Sequence, residues 1–289
     1  MKIHLVKMCR LLLLLAALPV TVLSRQYAPR LIGGTTVEIQ DAPWQASIVI
    51  KNEPLCSGAI IMENLILTSG WCVHRVPASK LKVRVGTSSR STGGSLIAVC
   101  KVHIHPHYFL DRYDNDLALL YLCENVTLTD NRVQVVPLAS ETPSDNAEGI
   151  VSGWGHTSSS SLCILWSKMI SILARVRLFW IDFLTPRSQQ LQQANVKILN
   201  WQQCAADRSI FGHFNPIQGL SERTLCTIGV GGTGTGTGTG TGACYFDEGA
   251  PLVVNGILVG ILGTVGCAGK PDVYANLAQH KSWLKENTK

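Results

Sequence analysis

Two acids stand side by side in "CYFDEGAPLV", Asp247 and Glu248, just ahead of a Gly-Ala-Pro stretch. A carboxylate can serve as a nucleophile, or as half of the acid/base pair that glycosidases use. Adjacent residues usually point apart, so this spacing is a poor frame for paired acid/base work. A second acidic stretch, "DNDLALL", sets Asp114 and Asp116 before an apolar run. Three histidines, His103, His105 and His107, alternate in "HIHPHYF". On a strand they would share one face, as metal ligands do. No carboxylate or Cys partner accompanies them, so neither a metal nor a cofactor is expected. "GVGGTGTGTGTGTG" contains one G-x-G-x-x-G match at Gly229, Gly231 and Gly234. No amphipathic helix follows it and there is no Walker Lys, so it does not read as a phosphate loop.

The elements that must position these residues are mostly short strands. "LKVRVG" alternates, with Leu81, Val83 and Val85 on one face, and "DLALLYL" and "GIVSGWG" are further short apolar runs. "PLVVNGILVGIL" places Asn255-Gly256 between two β-rich runs, the pattern of a type I′ hairpin. "VYANLAQHKSWLKEN" groups Tyr274, Leu277, Ala278 and Leu284 near one helical face and predicts a terminal helix. The chain is therefore expected to be all-β, a barrel or sandwich with one late helix.

The chain has 289 residues, ten of them Cys. Residues 1–24 carry Lys2, Lys7 and Arg10, then "LLLLLAALPVTVL", and read as a secretory signal cut near Ser24. The apolar run is short for a membrane span, so no membrane association is expected. The leader holds three basic residues and no acid, so its loss takes the net charge from +6 to +3; Arg25 and Arg30 take it to +1. Such a chain offers no basic surface for nucleic acid. Export with nine remaining cysteines predicts disulfides and one thiol left over. Asn125-Val126-Thr127 is a glycosylation sequon that marks Asn125. Two segments look foreign to the rest: an apolar insert at 161–185, which holds Cys163, and the Gly-Thr repeat at 229–242. The repeat cannot build a core and reads as a flexible loop.

Several stretches, in order from Arg30 to the C-terminus, carry a family resemblance. "RLIGG" (30–34) resembles the activation site of chymotrypsin/trypsin-like serine proteases, with "APWQASI" following it. "LILTSGWC" is similar to the stretch that ends there in Ala-Ala-His-Cys, "DNDLALL" to the one carrying the catalytic Asp, and "SGWG" (152–155) is a further marker. "CYFDEGAPLV" resembles Cys-x-Gly-Asp-Ser-Gly-Gly-Pro-Leu-Val, and "KPDVYANL" resembles the segment containing Pro-Gly-Val-Tyr. The resemblance implies two six-stranded antiparallel β-barrels over residues 31–289, with the active site between them and residues 25–30 as an activation propeptide. It pairs Cys56 with Cys72, Cys204 with Cys226, and Cys244 with Cys267. Cys100 and Cys123 flank "DNDLALL" on strands that neighbour in that fold and are expected to form a fourth bridge.

On the same resemblance Asp116 stands at the catalytic Asp, Trp71 at the His and Glu248 at the Ser. An indole N–H donates only and cannot take a proton, so no general base is expected at 71. Acylating Glu248 would give a mixed anhydride with nothing to deprotonate water. Phe246 replaces a Gly of the oxyanion position, where a side chain is disfavoured if the backbone needs a positive φ. Cutting after Arg30 would free Leu31 to pair with Asp247 and order the pocket. Gly242 falls where trypsins have an acidic pocket base, Asp272 replaces a Gly of the pocket wall, and Gly263, Thr264 and Val265 replace Ser-Trp-Gly. The expectation is a secreted, non-catalytic homologue that binds an extracellular protein partner and is cut after Arg30 by an activating protease. An active endopeptidase and a decaying gene product are the competing expectations.

Overall fold

Alternation along single strands organises the molecule. The computed structural model describes residues 31–109, 113–129, 131–157, 187–208, 220–230 and 241–288. In the strand Ala118–Leu122, Ala118, Leu120 and Leu122 turn into a core shared with Ile48, Ile60 and Val83. Leu119 turns the other way, into a core with Leu67, Val253 and Ile261. Successive side chains on a strand point to opposite faces, so a strand apolar on both faces needs a core on each side.

Two barrels supply those cores. The first is made of β2 (Gln45–Ile50), β3 (Glu53–Met62), β4 (Leu65–Thr68), β5 (Leu81–Val85), β6 (Ser95–Ile104) and β7 (Ala118–Leu122). It closes in the order β2-β3-β4-β7-β6-β5, every pair antiparallel. The second is made of β8 (Glu148–Gly153), β9 (Gln192–Leu199), β10 (Thr224–Gly229), β11 (Pro251–Val254), β12 (Ile257–Thr264) and β13 (Asp272–Asn276). Its order is β9-β10-β13-β12-β11-β8, and β8 pairs back onto β9 to close the ring, with β1 (Thr35–Thr36) lying along β9. Val151, Val196, Leu252, Leu262 and Tyr274 fill this second barrel. The Leu119 core lies between the two barrels, and Leu277, Trp283 and Leu284 of the C-terminal segment join it. The all-β, two-barrel architecture is the one expected.

Local expectations fare unevenly. Asn255 and Gly256 both take positive φ, 50° and 76°, between β11 and β12, as a type I′ turn requires. The terminal helix is shorter than its periodicity suggested. Val273 and Tyr274 belong to β13, a 3₁₀ turn covers Leu277–His280, and the α-helix runs only Lys281–Asn287. Hydrogen bonding of β13 to both β10 and β12 overrides the helical spacing of Tyr274. Four disulfides join Cys56–Cys72, Cys100–Cys123, Cys204–Cys226 and Cys244–Cys267. The signal and propeptide, the insert with Cys163, and 231–240 of the repeat lie outside the described residues. No helix among the described residues is long and apolar enough to cross a membrane.

One glycine sets how closely the two barrels meet. Gly249, just before β11, has φ +84°, and a Cβ there would sit 2.1 Å from the Ser57 carbonyl oxygen and 2.4 Å from Thr68 Oγ1. Its turn can press onto β3 and β4 only without a side chain. Gly249→Ala is expected to lower stability by about 3 kcal/mol, read as a shift in the urea unfolding midpoint. A loss under about 0.5 kcal/mol would show that this contact yields freely.

Candidate functional site

The site is assembled where loops of the two barrels meet. Ser69 caps the one-turn helix Gly70–Val73 that follows β4, its Oγ accepting the Trp71 N–H at 3.1 Å. This turn presents residue 71 to Asp116, which sits at the entry to β7. The Asp116 carboxylate is buried and accepts the Ser69 hydroxyl at 2.8 Å and the Trp71 N–H at 2.9 Å. The Trp71 indole stands 52% exposed. Asp116 is thus held by the backbone of residue 71 and by the hydroxyl two residues earlier. Burial raises its pKa to about 6, against the lowering effect of the bonds from Trp71, Ser69 and Gly70. On the second-barrel side Gly263 backs the same carboxylate, where any Cβ would fall 2.6 Å from Asp116 Oδ2. Ser69 stands where the family stretch has Ala, and its role was missed in the sequence. The signal was the hydroxyl in "LTSGWC" beside a position known to need hydrogen bonds.

Glu248 answers for the other half of the site. Its side chain is buried and folds back on its own turn. Oε2 accepts the Phe246 N–H at 2.8 Å, and the carboxylate also accepts the N–H of Glu248 itself. These are the two backbone donors that would face an oxyanion if residue 248 were a Ser nucleophile. The carboxylate therefore fills the anion position from inside the chain. Burial raises its pKa to about 7, the two N–H bonds lower it, and nearby Asp116 raises it further. Phe246 does take a positive φ, 73°. Its N–H nonetheless faces the Glu248 carboxyl group. The Phe246 ring is braced by Arg187, whose guanidinium carbon lies 4.5 Å from the ring centroid, and by His156 at 5.1 Å.

Asp247 lies fully buried behind this turn. It accepts N–H bonds from Gly155 at 2.7 Å and Cys244 at 3.1 Å. Burial lifts its pKa to about 8, the two N–H bonds oppose that, and Glu248 and Asp272 add to it. Leu31 is also buried, in the cluster that contains Ala243 and Ala250 on either side of Asp247, and Ile32 pairs with Gly242. Arg30 lies outside the described residues.

Gly242 and Asp272 come together. A Cβ on Gly242 would be 3.0 Å from Asp272 Oδ2, so this carboxylate lies beside the position where an acidic base was expected. Asp272 already accepts the N–H groups of Ala243 at 2.9 Å and Gly266 at 2.6 Å. Burial raises its pKa to about 7, opposed by those bonds and by Arg208. Val265 packs against the cores near Leu31 and near the Cys244–Cys267 bridge. Asn125 is exposed, its Nδ2 3.1 Å from Glu63 Oε2.

The three histidines do not form a ligand face, because β6 ends at Ile104. His103 stacks on Trp283 at 5.9 Å, while His105 is buried between Trp283 at 4.9 Å and His280 at 5.3 Å. Burial lowers the His105 pKa to about 4, with the neighbouring His280 adding to the effect. No group of three His, Cys, Asp or Glu among the described residues is arranged to hold a metal. His74 caps the turn after Cys72 and meets the Tyr108 ring edge-on at 5.7 Å.

Residues 31–175 and 181–284 match the family model described as Trypsin. Hypodermin-B of Hypoderma lineatum is 33% identical over 263 residues, 90% of this chain and 88% of that protein. Trypsin beta of Drosophila erecta is 31% identical over 261 residues, 89% and 88% of the two chains. Among solved structures, an inactivated protease paralogue of the scabies mite, S-D1, superposes with a TM-score of 0.71 at 23% identity, covering 88% of this chain and 96% of its own. At that identity the last likeness speaks for the fold alone. The two barrels, the four bridges, the family match and relatives at this identity make the chain a member of the trypsin-like serine protease family.

Proposed function

We propose that the chain is a secreted, catalytically inactive member of its family that binds an extracellular protein through the old substrate cleft. The observation that carries this reading is the Glu248 carboxylate on the Phe246 N–H at 2.8 Å and on its own N–H. A carboxyl group already occupies the place where a tetrahedral intermediate would put its charge, and above its pKa of about 7 its own negative charge repels a second one. The indole of Trp71 offers no lone pair to a proton, so no base stands beside Asp116. Asp247 and the buried Leu31 support retention of the activation switch, with an activating protease cutting after Arg30. Exposed Asn125 suits a glycan, and four disulfides suit an oxidising compartment. The proposal includes no metal, cofactor, nucleic acid or membrane partner.

Relatives named as trypsins at 31% identity favour the competing reading of an active endopeptidase. The two readings part in one assay. The chain is cut after Arg30, the Leu31 terminus is verified by mass, and peptide amides are offered beside a Glu248→Ala control. Turnover no higher than the control is the expected result. Turnover that disappears in Glu248→Ala would replace the non-catalytic reading with acyl transfer through Glu248.

A further inference from the structure

One cystine faces outward. Among the described residues, Cys56, Cys72, Cys204, Cys226, Cys244 and Cys267 form three bridges and are buried, each 6% exposed or less. The fourth bridge joins Cys100 to Cys123, and both of these residues are exposed. The difference begins in the sequence of β6. Alternation buries Val99 and turns Leu96, Ala98 and Cys100 to the outer face. The ladder to β7 then slips. Val99 pairs with Leu122 and Lys101 with Tyr121, so Cys100 is the extra residue of a bulge. A bulge re-aims side chains, and here Cys100 and Lys101 are exposed side by side.

This bridge is not what closes the barrel. Cys123 lies just past the end of β7, its N–H on the Ala98 carbonyl at 2.9 Å. Val102 with Leu120, His103 with Leu119 and Ile104 with Ala118 pair β6 with β7 independently of it, and Val99 and Leu122 are fixed in the core beneath. Breaking the bridge changes the surface and leaves the sheet joined. The charge around it is one-sided. From residue 64 to residue 110 the chain contains no Asp or Glu. Exposed Lys82 pairs with Ala98, which sets it diagonally from Cys100 on the same face, about 7–8 Å away. Exposed Lys80 ends the 3₁₀ turn Ala78–Lys80, which packs against β6. Lys101 follows Cys100, its Nζ 5.0 Å over the Tyr121 ring, while exposed Glu124 follows Cys123.

Thiol–disulfide exchange needs access to a sulfur and an attacking thiolate, and its negative charge is shared among three sulfurs as it proceeds. Three ammonium groups on this face favour that charge, and they draw in an anionic thiol more than a cationic one. We propose that the Cys100–Cys123 bridge is an exchange site for a small anionic thiol of the glutathione class. The thiolate bonds to Cys123 Sγ as the Cys100–Cys123 bond breaks, and the electron pair leaves on Cys100 Sγ. Lys101 stabilises the departing Cys100 thiolate, and Glu124 would do the opposite for Cys123, which sets the order. A second thiolate attacks the small-thiol sulfur of the mixed disulfide and releases Cys123. Two small thiols are oxidised to one disulfide, and one cystine is reduced to two cysteines that take up the two thiol protons. The inference concerns the outer face of the first barrel and does not depend on whether the chain turns over peptides.

The test uses the whole oxidised chain after the leader, with any thiol free at the start blocked by N-ethylmaleimide. Reduced glutathione is added at neutral pH, excess iodoacetamide stops the reaction at intervals, and peptide masses locate each label. Cys100 and Cys123 are expected to open about tenfold or more faster than any of the other six bridged cysteines, the first product carrying glutathione on Cys123 and alkylation on Cys100. At equal thiolate concentration glutathione is expected to react about threefold faster than cysteamine, an advantage that shrinks at high salt. Lys80→Gln, Lys82→Gln and Lys101→Gln together are expected to remove that advantage, and intact buried bridges with unchanged tryptophan emission show that this variant is folded. Opening of all four bridges together, or of a buried bridge first, overturns the proposal, because reduction would then follow unfolding. Equal rates for the two thiols at low salt overturn the assignment to an anionic thiol, and glutathione appearing first on Cys100 overturns the order of attack.

Discussion

Peptide-amide hydrolysis rises about 10³-fold above background when Trp71→His and Glu248→Ser are combined in the chain cut after Arg30, and each single change stays within about tenfold of background. The expectation follows from what the site retains. The N–H of residue 71 already rests on the Asp116 carboxylate at 2.9 Å, so an imidazole on that residue starts beside its orienting acid. The Phe246 N–H already points at a carboxyl oxygen 2.8 Å away. Removing the Glu248 carboxylate releases both donors to a substrate oxyanion and puts a hydroxyl in its place. A serine without a base, or a base without a nucleophile, is a part of a machine that acts only as a unit, which is why the singles stay silent. Initial rates on a trypsin-type amide panel measure it. A folded double variant at background would mean that the site is spoiled elsewhere, with the Ser69 hydroxyl on Asp116 and the absence of a hydroxyl at Gly263 the first places to look.

Stability of the uncut chain falls by about 2–4 kcal/mol between pH 6.5 and pH 8, a drop of about 5–10 °C in the unfolding midpoint. Four buried carboxylates have raised pKa values: Asp116 about 6, Glu248 and Asp272 about 7, Asp247 about 8. Unfolded, such groups release their protons near pH 4. Between about 4 and 8 the folded chain holds more protons than the unfolded one, so their contribution is full below pH 4 and is lost as pH rises through the folded values. Buried His105 and His280 act in the opposite direction. Their pKa values are lowered, to about 4 for His105, so they cost stability as pH falls below about 6.5. Above pH 6.5 the two histidines oppose the drop only weakly, by less than about 1 kcal/mol together, because the unfolded imidazoles lose their remaining protons there. Thermal unfolding at matched ionic strength measures the drop, and a flat or rising midpoint over this window would refute it. On the proposed activation switch, cutting after Arg30 brings the Leu31 amine to Asp247 and favours its charged form. The cut chain should then lose less than the uncut chain over the same interval.

Much of the fold was legible. Asn255-Gly256 announced its hairpin because two successive positive φ values leave few residue choices. The alternating Leu81, Val83 and Val85 lie buried in the first barrel. The C-terminal segment misled, since the spacing of Tyr274 and Leu277 suits a helix while two neighbouring strands take Tyr274 into a sheet. The alternation of the three histidines suits a strand, but the strand stops one residue before His105.

The chemistry of single residues belongs to the sequence. An indole has no basic nitrogen wherever it is placed, and a carboxylate at 248 is no serine in any fold, so the family was readable from residue types and order, and with it the proposal of a site without its base. What those residues do instead was decided by tertiary structure. Glu248 turns onto its own loop because the turn before β11 aims two N–H groups at one point, and Ser69 takes Asp116 because β4 and β7 lie side by side. Cys100 comes to face outward beside Lys101 through a slip in the ladder between β6 and β7. A charge or a hydroxyl becomes a site only when its neighbours and its burial are set, and those depend on contacts that spacing along a chain does not contain.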